Sequence, residues 1–242
     1  MATLKHVYEK YVSKANTCVL PSYYKAFDYR YAGFVKKRIT FIAGRPLSGK
    51  SCFLCNVAIN IAKHNNKVLF ITQNITETAK RMATIAPELP LLNIEEEVLL
   101  TSVKLRGLCQ KYQSDIVFID IHLLGNVINK KILRRFKQIA EKSNTAIVMT
   151  GTLNRAIDNR IDKMPKTRDF CGINEQTGVL ETADAIFTFY NPKLYFPPFV
   201  LPERDRLIIV PVKAVSLQSI NLEIKENGKI VEWEAMPEPL MN

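Results

Sequence analysis

Gly44-Arg45-Pro46-Leu47-Ser48-Gly49-Lys50-Ser51 is the stretch that decides how this chain folds. Ahead of it, Arg38-Ile39-Thr40-Phe41-Ile42-Ala43 is a β-branched run suited to a buried strand, and residues 52–63 behind it carry apolar groups at helical spacing. Strand, glycine turn and helix are the context in which this pattern makes a phosphate-binding loop. Gly44 and Gly49 let backbone N–H groups turn onto phosphate oxygens, and the helix opening at Ser51 and Cys52 adds a positive dipole end. Arg45, Pro46 and Ser48 complete the cradle, Lys50 supplies a mobile cation, and the Ser51 hydroxyl is suited to Mg²⁺. The competing reading is a glycine turn with no ligand, and the flanking strand and helix weigh against it.

Working outward, Lys67–Thr72 is a second buried strand, followed by a helix from about Thr76 to Ala86 that stops before Pro87. Residues 87–113 are expected to be helical in parts, with Glu95-Glu96-Glu97 as a solvated helix start at the positive dipole end. Asp115–Asp120 is an apolar strand closing on a carboxylate, which places Asp120 at the mouth of the phosphate loop as a second Mg²⁺ contact. An amphipathic basic helix follows over residues 129–140, its charges most simply a solvated face. Strands at 145–150 and 185–190 bracket a long polar segment, 151–182, that carries Arg155, Arg160, Lys163, Lys166 and Arg168. Connections of that length inside one domain are usually functional. The chain closes with antiparallel strands at 206–210, 219–224 and 230–233, the last two joined by a Glu226–Lys229 turn, while residues 19–37 look irregular and aromatic-rich.

The fold class expected is α/β: a central, mostly parallel sheet flanked by helices, with C-terminal antiparallel strands. Two units are expected, an N-terminal arm over 1–20 with helical periodicity at residues 4–12, and one nucleotide-binding domain over 21–242. No apolar run spans a bilayer and no signal peptide is evident, so a reducing, cytoplasmic location is expected. Five scattered cysteines argue against a disulfide framework, and Cys52-x-x-Cys55 has no second pair with which to hold zinc. A net charge of +11 fits a polyanionic partner, with a merely solvated basic surface as the alternative.

In order and approximate spacing, these motifs resemble the RecA-like motor domain of DnaB-type replicative helicases. The resemblance runs over roughly residues 20 to 235. It rests on the loop with its Arg45-Pro46 pair, the strand ending at Asp120, Leu153-Asn154-Arg155 followed by Arg160, Asp162-Lys163, Pro165 and Asp169, and Glu181-x-Ala183-Asp184 before a strand ending at Tyr190. The phosphate loop and Asp120 strand alone would also fit recombinase or circadian-clock ATPases. The resemblance implies an ATP-dependent DNA helicase with Lys50 and Asp120 in catalytic roles. It also implies MgATP bound between subunits of a hexameric ring, single-stranded DNA gripped by the 151–182 cations, and replication proteins as partners at the nucleoid. Several positions depart from the family pattern. Asn74 stands where a water-activating glutamate belongs, with Glu77 one turn on, and an amide cannot accept a proton at neutral pH. Losing such a base costs about 10²–10⁴ in rate. Gly151-Thr152 replaces a γ-phosphate-sensing pair, Lys213 alone matches a Lys-x-Arg that acts in trans, Val215 stands in the arginine-finger position, and 170–176 lacks the family's DNA-tracking run. Turnover is therefore expected to be slow or absent, and a hydrolysis-deficient assembly, loading or regulatory subunit stands as the second reading.

Overall fold

The computed structural model describes residues 18–121, 129–161, 163–170, 178–195 and 205–233. The expected helix at 4–12, Asp162 and most of the 170–176 run lie outside them. The described chain opens with β1 (Val19–Leu20), α1 (Lys25–Tyr31) and β2 (Phe34–Val35), the two strands pairing antiparallel across the helix. A helix at 25–31 corrects the irregular reading of 19–37. The cause is Asp28, whose carboxylate accepts the backbone N–H groups of Ser22 and Tyr23 at 2.8 and 2.9 Å and so closes the first turn from inside. Ala32 (φ 60°) and Gly33 (φ 69°) then end the helix; a Cβ at Gly33 would sit 2.4 Å from the Leu20 carbonyl oxygen.

Next come β3 (Ile39–Gly44), α2 (Lys50–Lys63), β4 (Val68–Thr72), α3 (Ile75–Ile85), β5 (Leu92–Glu96), α4 (Ser102–Tyr112), β6 (Ile116–Asp120), α5 (Lys130–Ser143) and β7 (Ala146–Thr152). The short α6 (Val179–Thr182) precedes β8 (Ala185–Tyr190), β9 (Asp205–Lys213), β10 (Ile220–Ile224) and β11 (Ile230–Glu232). Among the described residues the main sheet has nine strands in the order β11-β10-β9-β8-β3-β7-β6-β4-β5, parallel from β8 to β5 and antiparallel from β8 to β11. The expected α/β fold is thus observed, with the phosphate-loop strand at its centre.

β5 overturns the expected helix start at Glu95-Glu96-Glu97. These residues begin as an edge strand parallel to β4, with Leu92 opposite Val68 and Glu96 opposite Thr72. Edge strands tolerate charge, and here α4 supplies the partners: Lys111 lies 3.0 Å from Glu95 and Lys104 2.5 Å from the buried Glu97. The helix instead starts at Ser102, where the Thr101 hydroxyl accepts the Lys104 N–H.

Two apolar layers hold the sheet. On one face Phe27 of α1 packs on Phe34, Phe53 and Phe187 at ring distances of 5.3–5.7 Å. Burying each such ring contributes about 1.5–3 kcal/mol, which is why the aromatic N-terminal segment is part of the domain rather than a tail. On the other face Leu105 and Leu108 of α4, Leu133, Phe136 and Ile139 of α5 and Val179 of α6 cover Phe41, Ile71, Val117 and Met149. Among the described residues no helix is long and apolar enough to cross a membrane.

Candidate nucleotide site

The loop between β3 and α2 has the backbone that its glycines predict. Gly49 has φ 94°, a conformation costly for side chains, and a Cβ at Gly44 would lie 2.5 Å from the Ser48 hydroxyl and 2.9 Å from the Phe189 carbonyl. Lys50 is 6% exposed, and its ammonium donates to the Gly44 and Arg45 carbonyls at 3.0 and 2.9 Å. Burial pushes it down to about 8, against which the nearby Asp120 carboxylate raises it.

A cavity of about 190 Å³ opens beside the loop, lined by Ser51, Cys55, Thr72, Asn74, Glu77, Arg81 and Asp120. It brings together four residues singled out from the sequence: Ser51, Asp120, Asn74 and Glu77. Asp120, 8% exposed, accepts the Thr150 hydroxyl at 2.8 Å, which orients the carboxylate from the neighbouring strand β7. Asn74 has a task of its own: its side-chain oxygen caps α3 by accepting the Glu77 N–H at 3.0 Å. Glu77 faces Arg81 at 3.1 Å along the same helix.

Arg45 points away from the cavity. Its guanidinium makes a two-pronged pair with Asp158 (3.2 and 2.8 Å) and donates to the Leu153 carbonyl at 3.1 Å, tying the loop to the start of the 151–182 segment. Cys52 turns its thiol to the Gly228 carbonyl at 2.9 Å, and burial pushes that thiol up to about 11. Sequence reading missed Asn56, a buried polar side chain near the middle of α2. Its amide nitrogen donates to the Cys52 and Gly228 carbonyls, both at 2.9 Å, and its oxygen accepts the Ile230 N–H at 3.0 Å, so α2 is locked to the β10–β11 hairpin. An Asn at the centre of an otherwise apolar helical run was the signal that could have found it.

The cations of the 151–182 segment divide into two groups. Arg160 grips Asp169 with both terminal nitrogens (2.6 and 2.9 Å) and also donates to the Met164 carbonyl; Lys163 donates to the Asp158 carbonyl. Arg155, Lys166 and Arg168 are exposed. Lys213 donates to the Leu180 and Ala183 carbonyls at 3.1 and 2.6 Å within its own chain, while Val215 is 89% exposed on the β9–β10 turn. Asp184 accepts the Ile39 N–H at 2.8 Å and pairs with Lys137, anchoring the entry to the phosphate-loop strand. The four described cysteines are free thiols, and no group of three or more metal-binding side chains converges among the described residues.

Residues 19–120 match the family model described as DnaB-like helicase C terminal domain. The replicative DNA helicase DnaC of Bacillus subtilis (strain 168) is 22% identical over 96% of this chain and 60% of its own length; a probable replicative DNA helicase of Trieres chinensis is 24% identical over 76% of this chain and 50% of its own. The chain thus spans about half to three fifths of these relatives. Among solved structures, an isolated ATPase domain aligns with TM-score 0.79 at 20% identity, covering 96% of this chain and 97% of that one. A DnaB-like replicative helicase, solved in a study of its interactions with primase, aligns with TM-score 0.80 at 18% identity over 96% and 68%. These alignments share the RecA-like α/β fold seen here.

Proposed function

We propose that the chain is a member of the DnaB-like helicase family, a replicative motor domain that binds MgATP and single-stranded DNA, working in a ring and turning over slowly. The observation that carries this reading is the cavity at the loop mouth, where Ser51 and Asp120 meet beside the buried Lys50. Serine hydroxyl and carboxylate are the hard oxygen donors that Mg²⁺ takes, so these two residues would hold the ion. When bound, Mg²⁺ neutralises charge on the phosphates. In the chain itself, the loop N–H groups and Lys50 receive phosphate oxygens, Lys50 exchanging its two carbonyl partners for them. Thr150 keeps the Asp120 carboxylate oriented. Slow turnover follows from Asn74, an amide already committed to capping α3, and from Val215 at the finger position. Arg155, Lys166 and Arg168 are the exposed cations for the strand, and Lys213 is the remaining candidate to act on a neighbour's nucleotide. A cytoplasmic site of action and replication proteins as partners come with the family reading.

The test is single-strand binding against salt together with steady-state ATPase. Replacing Arg155, Lys166 and Arg168 by glutamine is expected to flatten the log–log salt slope by about 0.7 for each phosphate no longer neutralised. Unchanged slope and affinity would remove this segment from the nucleic-acid site, and no ATP binding by the parent chain would remove the motor reading.

A further inference from the structure

The charge of this protein is not spread evenly. Helices α4 and α5 carry nine lysines and arginines and a single acid, Glu141, a net +8 of the chain's +11. Both helices pack their apolar sides on the same face of the sheet. Between them runs a groove of about 390 Å³ flanked by Arg106, Gln110, Gln113 and Lys142. Lys104, Lys111 and Lys137 are paired with Glu97, Glu95 and Asp184. Arg106, Lys130, Lys131, Arg134, Arg135 and Lys142 stand in no ion pair with another described residue.

The arrangement works against the helix that bears it. Lys130 and Lys131 occupy the first turn of α5, which holds no acid, so two cations sit at the positive end of the dipole. Lys130 with Arg134, and Lys131 with Arg135, are like-charge i,i+4 pairs, and such pairs destabilise a helix. A face meant only for solvation would mix signs. The exposed positions of α5 are Lys130, Lys131, Arg134, Arg135, Gln138 and then Glu141, Lys142 and Ser143, with no large apolar group among them. A protein partner wants an apolar centre to its interface. On α5 this face offers polar and mostly cationic groups, in two rows set about 6 Å apart along the helix by four residues of rise, with arginine forks that match phosphate oxygens; on α4 the exposed large apolar side chain is Val103.

We propose that the α4–α5 face is a second nucleic-acid surface, gripping the phosphate backbone outside the 151–182 segment. The inference stands on the charge and packing of these two helices and does not require the motor reading to hold. Because the native charges repel one another, Lys131→Gln/Arg134→Gln/Arg135→Gln in the full chain is expected to fold with its thermal midpoint unchanged or raised. Fluorescence anisotropy with a short labelled duplex and the matching single strand, each over a salt series, reads the contacts. The triple variant is expected to bind about tenfold or more weakly at moderate salt, and its log–log slope to flatten by about 0.9 for each duplex phosphate no longer neutralised, or about 0.7 on a single strand. Arg134→Lys/Arg135→Lys is expected to retain most of the slope. The duplex and single-strand arms show which form the face prefers, and weaker binding in either supports it. The Arg155/Lys166/Arg168 variant separates the two surfaces, since it leaves α5 intact. Unchanged affinity and slope in both arms for the α5 variant would overturn the proposal. So would polyglutamate competing as well as unlabelled duplex, which would make the face a general anion surface.

Discussion

The phosphate loop and the segment at 153–170 are both rich in residues that could meet phosphate, yet they use them differently. In the loop, Gly44, Gly49, Lys50 and Ser51 lie within eight residues, with Lys50 buried and Ser51 lining the cavity. In the segment, Arg160 and Lys163 are turned inward on Asp169 and the Asp158 carbonyl, leaving Arg155, Lys166 and Arg168 at the surface. A cation's sequence neighbourhood identifies its partner only when that partner is a backbone nearby. Where side chains choose among carboxylates brought in by folding, identical residue types divide into buried staples and exposed cations.

The largest effect that could break this comparison is at Arg160. Its side chain is 17% exposed and that of Asp169 6%, so Arg160→Ala leaves a buried carboxylate without its main cation, a loss of about 3–5 kcal/mol. Arg155→Ala, at an exposed position, is expected to stay within about 0.5 kcal/mol. Chemical denaturation of the two variants checks both. Equal stability, with Arg160→Ala losing nucleic-acid affinity instead, would make Arg160 a contact after all.

Legibility followed the same division. The sheet and most of its helices were readable because strand runs such as Ile39–Gly44 and Ile116–Asp120 are almost wholly apolar, as strands buried on both faces tend to be. α1 was not, since its first turn is closed by Asp28 reaching back to Ser22 and Tyr23, a cap placed inside the helix rather than before it. β5 was misread because acidic residues favour a helix start and are equally at home on a charged sheet edge; only pairing with β4 decides. Within the site, Ser51 and Asp120 were visible from local pattern. The links of Arg45 to Asp158 and of Asn56 to Gly228 and Ile230 bridge distant parts of the chain, so the local sequence does not name their partners.

A second, smaller effect sharpens the loop side. Lys50→Ala is expected to weaken ATP binding by about 1.5–3 kcal/mol, the worth of a charged hydrogen bond, with the fold as stable as before or more so. The sign follows from burial: the folded chain holds Lys50 at about 8, below its usual 10.5, so the unfolded chain binds more protons between those values and stability rises with pH there. Below pH 8 the cost of the buried charge is fully present, and alanine removes it. Phosphate favours the charged amine, so ATP affinity in the parent is expected to fall as pH rises above about 8, with proton uptake on binding. Titration calorimetry in buffers of different ionisation enthalpy reads that uptake, and a flat pH profile shared by parent and variant would place Lys50 outside the phosphate site.

The smallest effect tests where the two regions' logics meet, at Asn74, a residue in the cavity whose side chain nonetheless serves the backbone. Because its oxygen caps α3 through the Glu77 N–H, Asn74→Ala is expected to cost about 1 kcal/mol of stability, within the usual range for an N-cap. Asn74→Asp keeps the cap and is expected to restore that loss. Asn74→Glu is a poorer cap, so any gain in turnover from its carboxylate would come with a less stable α3. If the position does no chemistry in the native protein, the ATPase rate per folded molecule is the same for asparagine and alanine, whatever that rate is. Denaturation midpoints and steady-state hydrolysis, measured on the same preparations, separate the two roles. A rate that collapses in Asn74→Ala while stability holds would reverse the assignment and place Asn74 among the groups that touch the reacting water.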